Sequence, residues 1–295
     1  MTTGAAGELL QRVRTLELVA RKNVAGRLQG DYVSAVKGSG LLFEEPRRYV
    51  PGDPVRSIDW NITARVAQPH VRVHREERQR DVMLVVDVSP SMHAGSQERT
   101  KLETAIELAA TLAVSAREAG DRLGYVLYAD RVLAESRPRL GRAHLWRVLK
   151  TLLDHSRPWT RPVTVSDPRV ALHQLESRRA GPMLVFLISD FIDEDVPEDL
   201  RYLRPRHAVS LLHVFDPLER ESPQHLRVPA FDPEGPGAPG RRIEPGVTEP
   251  VRTLLSPLER AAAGLGIGYL AVSSADPVGP LLAGHFVAER HRRSR

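Results

Sequence analysis

The sequence predicts an α/β fold, a mostly parallel sheet flanked by helices, with a small N-terminal strand-and-loop module ahead of it. Apolar runs of strand length, such as Val82-Met83-Leu84-Val85-Val86 and Leu184-Val185-Phe186-Leu187-Ile188, are bounded by turn residues. They alternate with longer stretches whose apolar residues recur at helical spacing, as in residues 101–118. Such alternation favours parallel strands covered by helices on both faces. At 295 residues, 41% of them hydrophobic, the chain is long enough for one large domain and a smaller module.

Taken in order, residues 8–22 carry Leu9, Leu10, Val13, Leu16 and Val19 close to helical spacing, which predicts an opening amphipathic helix. From residue 30 to about 80, Gly38, Gly40, Gly52, Pro46, Pro51, Pro54 and Pro69 argue against helix, and Val71-Arg72-Val73 alternates as a strand does. The module is therefore placed at residues 1–79 and the main domain at 80–295. Within the main domain, strands are expected at 82–87, 123–128, 183–189, 208–215 and 267–272. Helices are expected at 101–118, 143–153, 168–178, 252–263 and 277–290. The Pro/Gly-rich stretch at about 216–249 reads as an insertion, either a short hairpin or an ordered loop, with Leu226-Arg227-Val228 and Ile243 as candidate strand residues, or else a mobile surface excursion.

Composition excludes several classes. There are no cysteines, so disulfides, thiolate metal sites and cysteine nucleophiles are ruled out. The net charge of +5 raises nucleic-acid binding, but the arginines are interleaved with acids, as in Arg75-Glu76-Glu77-Arg78, and aromatic residues make up only 5%. A solvated basic surface without nucleic acid is the expectation. The start Met1-Thr2-Thr3-Gly4 lacks the features of a signal peptide, and no apolar run approaches the roughly 20 residues of a membrane span. These features predict a cytoplasmic protein.

The residues that carry chemistry begin at Asp87-Val88-Ser89-Pro90-Ser91, directly after the first central strand. One carboxylate and two hydroxyls at alternate positions offer hard oxygen ligands, the kind Mg²⁺ (or Mn²⁺) accepts while keeping some of its waters. In open α/β sheets ligands collect beyond the carboxyl ends of the strands. A second strand ends there in Ser189-Asp190, and residues 164–172 bring a hydroxyl ahead of a helix, so three loops can supply oxygens to one ion. The bland alternative is that the serines cap the helix at Lys101 or form a hydroxyl-rich turn. His93 is expected to face solvent.

The order Asp-x-Ser-x-Ser, a hydroxyl-bearing loop before a helix with Ala171-Leu172, and an apolar strand closing in Ser-Asp resembles the metal-ion-dependent adhesion site of von Willebrand factor A domains, whose sheet is Rossmann-like. The resemblance implies that Ser89 and Ser91 bind the ion directly and that Asp87 and Asp190 bind it directly or through water. Ser166 takes the place usually held by threonine, with Thr164 and Thr160 near enough to compete. Phe191 stands where many such domains have glycine. Upstream, Phe43, Arg47, Tyr49, Pro51, Gly52, Asp53, Arg56, Ile58, Asp59, Trp60, Ala64 and Arg65 fall in the order of the signature of domain-of-unknown-function family 58. That resemblance runs from about residue 10 to the C-terminus. In physical terms Pro51-Gly52 suits a tight turn, and Asp53 and Asp59 have arginines at positions 47, 48, 56 and 65 to pair with. Trp60 either locks the module onto the sheet or forms part of an exposed docking surface.

A site of this type binds rather than reacts. Neutral hydroxyls leave the cation undercompensated, so a carboxylate from a client protein can enter an open coordination position. The family resemblance implies a MoxR-type AAA+ ATPase as partner. No Gly-x-x-x-x-Gly-Lys-Ser/Thr loop is present, so this chain is expected to be a non-enzymatic adaptor. The alternative is a haloacid-dehalogenase-like phosphatase with Asp87 as nucleophile. Against it, Ser89 stands where a second aspartate is usual, and the sequence offers no convincing phosphate-binding lysine.

Overall fold

The protein is described by a computed structural model covering residues 2–25, 27–37, 47–51, 53, 55, 58–66, 68–71, 79–156, 166–177, 181–192, 196–220, 230–232, 241–243 and 252–293. Ahead of the main sheet come α1 (Thr2–Val24), α2 (Arg27–Lys37), β1 (Arg47–Arg48), α3 (Trp60–Val66) and β2 (His70–Val71). Then follow β3 (Asp81–Asp87), α4 (Lys101–Glu118), β4 (Arg122–Tyr128), β5 (Val132–Arg139), α5 (Arg142–Asp154), α6 (Pro168–Glu176), β6 (Met183–Ser189), α7 (Val196–Leu203), β7 (Ala208–Phe215) and α8 (Pro217–Arg220). The chain closes with β8 (Ala230–Asp232), β9 (Arg241–Ile243), α9 (Arg252–Gly264), β10 (Gly268–Ser273) and α10 (Val278–Arg293). Among the described residues no helix is long and apolar enough to cross a membrane.

Six strands form one sheet in the order β10-β7-β6-β3-β4-β5, parallel except for the antiparallel edge strand β5. This is the α/β architecture the sequence predicts. Alternation along β3 builds two cores, because successive side chains of a strand point to opposite faces. Val82, Leu84 and Val86 join the core under α1, α2, α4, α5 and α10, while Met83 and Val85 join the core under α6, α7 and α9. The chain passes from β3 to β4 on one side and later to β6 on the other, so the sheet reverses direction at β3. In open α/β sheets such a reversal marks the edge, here the carboxyl ends of β3 and β6, where ligands collect.

Several elements depart from the sequence expectation. The opening helix buries Val13 and packs Leu16 on the core as expected, together with Ala20 and Val24, whereas Val19, 38% exposed, lies at the edge of that face. α2 is a helix where a loop region was expected to begin. Its Leu28, Tyr32 and Ala35 follow i, i+4, i+7 and enter the same core as β3. The Tyr32 hydroxyl reaches Asp121 Oδ2 at 3.3 Å, and both opening helices pack on α4 and α10. α3 is likewise helical, started by Asp59, whose Oδ1 accepts the backbone N–H groups of Asn61 and Ile62. Its Trp60 is 67% exposed and so does not lock the module onto the sheet. Asp53 holds its turn through the Val50 N–H at 3.0 Å.

β5 and α7 were not expected. β5 alternates partly buried and exposed residues at the sheet edge and carries Pro138 there, where a missing N–H is tolerated. In the insertion, β8 pairs with β9 as an antiparallel hairpin that includes Ile243, in line with the hairpin alternative; residues 226–228 lie outside the described residues, as do Arg72 and Val73. Phe43, Gly52 and Arg56 of the upstream signature also lie outside them.

Candidate functional site

Asp87 is the last residue of β3 and is fully buried. Val88 N–H still bonds the Tyr128 carbonyl of β4 at 2.9 Å; beyond that bond the chain turns. Ser89 N–H donates to Asp87 Oδ1 at 2.8 Å, an Asx turn that folds the serine back over the carboxylate. Pro90–His93 then forms a 3₁₀ turn, and Ser89 Oγ and Ser91 Oγ stand 3.0 Å apart. The two hydroxyls of the motif are thus side by side next to Asp87.

These serines are not spent on capping. α4 has its own cap: Thr100 Oγ1 accepts the Glu103 N–H at 3.1 Å, and Glu103 Oε2 accepts the Thr100 N–H at 2.9 Å. Ser89 makes no side-chain cap bond to the 3₁₀ turn. His93, in that turn, is half-buried rather than solvent-facing, and burial lowers its pKa.

The other two loops converge on the same carboxylate. Asp167 N–H bonds the Ala129 carbonyl beyond β4 at 2.9 Å, and Asp167 caps α6 through the Arg169 N–H at 3.0 Å. This anchoring sets Ser166 so that its Oγ donates to Asp87 Oδ2 at 2.9 Å. Thr160 and Thr164, the competing hydroxyls, lie outside the described residues. From β6, Ser189 Oγ donates to Asp87 Oδ2 at 2.8 Å and accepts the Phe191 N–H at 3.1 Å. Asp190 follows, 4% exposed. Burial, joined by the charge of Asp190, pushes the Asp87 carboxyl up to about 6 against the pull of its hydrogen-bond donors.

The loop after Asp190 explains the departure at Phe191. Phe191 has φ of +49°, a backbone position where glycine is the usual occupant. Its ring offsets the conformational cost by packing edge-on to His213, centroids 5.7 Å apart. His213 is buried, driven down to about 4 by desolvation, and so neutral; it bonds the Tyr269 hydroxyl at 3.0 Å and the Asp190 backbone.

Two residues at this edge were not singled out from sequence. Lys101, the first residue of α4, is 1% exposed; its Nζ lies 2.7 Å from Asp190 Oδ2 and 2.6 Å from Glu219 Oε1. Burial works against its charge, but Asp190 and Glu219 outweigh it and hold the ammonium above its ordinary value. Glu219 is held in turn, its Oε2 accepting the Asp216 N–H at 2.8 Å while Asp216 Oδ1 accepts the Leu218 N–H at 2.9 Å. Asp216 also accepts from Ser96 N–H at 2.7 Å, from the Ser96 hydroxyl, and from Ser274 Oγ at 3.3 Å.

As a donor set, Asp87, Ser89, Ser91, Ser166 and Asp190 are all oxygen, with two carboxylates, and suit a hard cation rather than a soft one. Among the described residues no three His, Cys, Asp or Glu side chains group as a metal cluster. Any ion here would therefore depend on hydroxyls and water for most of its shell.

A sheet that reverses at β3, with hydroxyl loops gathered at the reversal, places the protein in the von Willebrand factor A-like class of α/β folds. The chain belongs to the family described as Protein of unknown function DUF58, whose model matches residues 45–238, a span holding most of the upstream signature and all three loops. Uncharacterized protein Rv1480 of Mycobacterium tuberculosis (strain ATCC 25618 / H37Rv) is 33% identical over 219 residues, covering 73% of this chain and 68% of its own. Uncharacterized protein Mb1516 of Mycobacterium bovis matches to the same extent, 33% over 219 residues. Among solved structures, BatB from Bacteroides thetaiotaomicron overlays with a TM-score of 0.48 at 16% identity, over 72% of this chain and 99% of that one. The SpRpn10 VWA domain overlays at 0.35 and 12%, over 70% and 94%.

Proposed function

We propose that this protein is a non-enzymatic adaptor that captures a protein partner through a Mg²⁺-dependent (or Mn²⁺-dependent) face built from Asp87, Ser89, Ser91, Ser166 and Asp190. The observation that supports it best is the convergence of the Ser89 N–H and the Ser166 and Ser189 hydroxyls on buried Asp87 beside Asp190. A raised carboxyl next to a second acid is a charge arrangement that a cation would relieve. When bound, the ion would supply an electrophile for a partner's carboxylate.

The chain's own residues do the rest. Ser189 and Ser166 orient Asp87, the Asx turn holds Ser89 and Ser91 together, and His213 with Tyr269 braces the Asp190 loop. Family resemblance supports a MoxR-type AAA+ ATPase as one partner and a client with an exposed acid as the other, in the cytoplasm. The test is a pull-down with the wild-type chain and Asp87→Ala, in Mg²⁺ and in EDTA, with retained proteins identified by mass spectrometry. Retention of an AAA+ ATPase or a client only by wild type with Mg²⁺ is the expected result; equal retention in every arm would sink the metal-bridge reading.

Two observations define the competing readings. Trp60, Val50, Val55 and Val66 are exposed on the signature module, so metal-independent retention would move docking there. Lys101 is a buried lysine at the candidate site, the group the phosphatase reading lacked in the sequence. Two carboxylates claim it, however, and both Asp87 oxygens accept hydrogen bonds, which makes Asp87 a poor nucleophile. Phosphatase turnover abolished in Asp87→Ala would reverse that judgement.

A further inference from the structure

A lysine at the first position of a helix faces the positive end of the helix dipole, an unfavourable place for a cation. Lys101 occupies that position with its side chain almost wholly buried. Taking an ammonium out of water is costly unless charged partners compensate. Its partners are Asp190 Oδ2 and Glu219 Oε1. Among the described residues Asp190 Oδ1 accepts no hydrogen bond, so the protein's own cation holds one oxygen of this acid and leaves the other. Glu219 is fixed independently, because its second oxygen caps the turn at Asp216. Asp216 in turn ties down Ser96 in the loop that leads into α4. The ammonium therefore sits in a braced frame rather than on a mobile stem.

We propose that Lys101 sets the divalent-cation affinity of this face, acting as an internal counter-cation that takes one oxygen of Asp190 and holds that acid against Glu219. This rests on the metal-dependent reading of Asp87 and its neighbours. Lys101 is a positioning and affinity-setting residue, not an ion ligand. Two carboxylates, Asp190 and Glu219, hold one ammonium, and Asp87 stands beside Asp190, so the three acids and the lysine carry a net charge of about two negatives when all are ionised. Removing the ammonium raises the attraction for an incoming cation; removing Glu219's charge lowers it and frees Lys101 to neutralise Asp190 more fully. The two substitutions should thus act in opposite directions, which a purely structural role for the ion pair does not produce.

The experiment titrates the full chain with Mn²⁺ at fixed pH, reading the free aquo-ion by electron paramagnetic resonance, and repeats it with Mg²⁺ by calorimetry. Lys101→Met should tighten binding by at least about tenfold, the scale of one unit charge removed at a few ångström in a partly shielded site. Glu219→Gln should weaken it by about threefold to tenfold. Lys101→Arg, which keeps the charge, should stay near wild type. Weakening or no change in both Lys101→Met and Glu219→Gln overturns the proposal while leaving an ion-binding wild type, and with it the adaptor reading, intact. A wild type that binds neither ion alongside a Lys101→Met that does would support Lys101 as resident cation and sink the metal-dependent adaptor. No binding by any variant would remove both. Should Lys101→Met fail to fold, Glu219→Gln decides, and unchanged affinity there overturns the proposal.

Discussion

Replacing Asp87 by asparagine should make the metal-free protein more stable at neutral pH, not less. Asp87 is fully buried and its carboxyl is raised from the ordinary 3.8 to about 6. A shift of about two units at about 1.4 kcal/mol each makes the ionised carboxylate a liability of about 3 kcal/mol above pH 6. Asparagine keeps the shape and most of the hydrogen bonds. Its amide oxygen accepts the Ser89 N–H, and its amide nitrogen donates to serine hydroxyls whose hydrogens can rotate. Allowing about 1 kcal/mol for imperfect rearrangement, Asp87→Asn should gain about 1–2 kcal/mol, or several degrees in Tm at about 2–4 °C per kcal/mol.

The sign with pH follows from proton counting. Between 3.8 and about 6 the folded chain holds a proton on Asp87 that the unfolded chain has released, so wild-type stability falls as pH rises through that window. The advantage of Asp87→Asn should therefore be absent below pH 4, open between 4 and 6, and stay constant above. Urea denaturation in EDTA at a series of pH values measures it. Saturating Mg²⁺ should then stabilise wild type, by about 2.7 kcal/mol at one hundred times Kd, and leave Asp87→Asn unmoved. A variant less stable than wild type at pH 7.5 without metal, or an offset that does not change from pH 4 to 7, would refute the electrostatic reasoning.

Two further substitutions test the packing that presents the site. Gly124→Ala, in β4 beside an irregularity in its pairing with β5, would put a Cβ 2.5 Å from Met83 Sδ and 2.8 Å from the Ser136 carbonyl; a loss of about 1–3 kcal/mol in urea midpoint analysis is expected. Tyr32→Phe removes the hydroxyl bond to Asp121 that ties α2 to the turn between α4 and β4, and should cost about 0.5–1.5 kcal/mol with an unchanged denaturant slope.

What was legible in the sequence follows from how each element earns its order. The central strands are buried on both faces, so β3 and β6 read as apolar runs and β7 as one broken only by Ser210 and His213, and their limits are within a residue of expectation. β5 is buried on neither face; after Val132-Leu133-Ala134 it runs Glu-Ser-Arg-Pro-Arg, and only its pairing with β4 makes it a strand. α2 carries helical spacing in Leu28, Tyr32 and Ala35, but Gly30 and the glycines beyond it favour a loop on sequence grounds. Val19 sits on the turn next to the buried stripe of α1, where spacing alone does not tell which of two adjacent faces meets α4.

The same contrast governs the site. Asp87, Ser89 and Ser91 are legible because a five-residue segment, an Asx turn running into a 3₁₀ turn, builds their geometry locally, and Ser166 and Asp190 are legible because each lies at an element boundary that the apolar pattern marks. Lys101 and its partners carry no such local signature: Asp190 is 89 positions away and Glu219 118 positions away. Only the sheet order, which sets β6 beside β3 and β7 beside β6, brings them to one edge. The ligand oxygens are thus written as short motifs, whereas the charge that tunes them is written in the topology. A chain with the same Asp-x-Ser-x-Ser but a neutral residue in place of Lys101 would present the same oxygens under a different field, so motif identity alone does not fix the affinity of such a face for an ion.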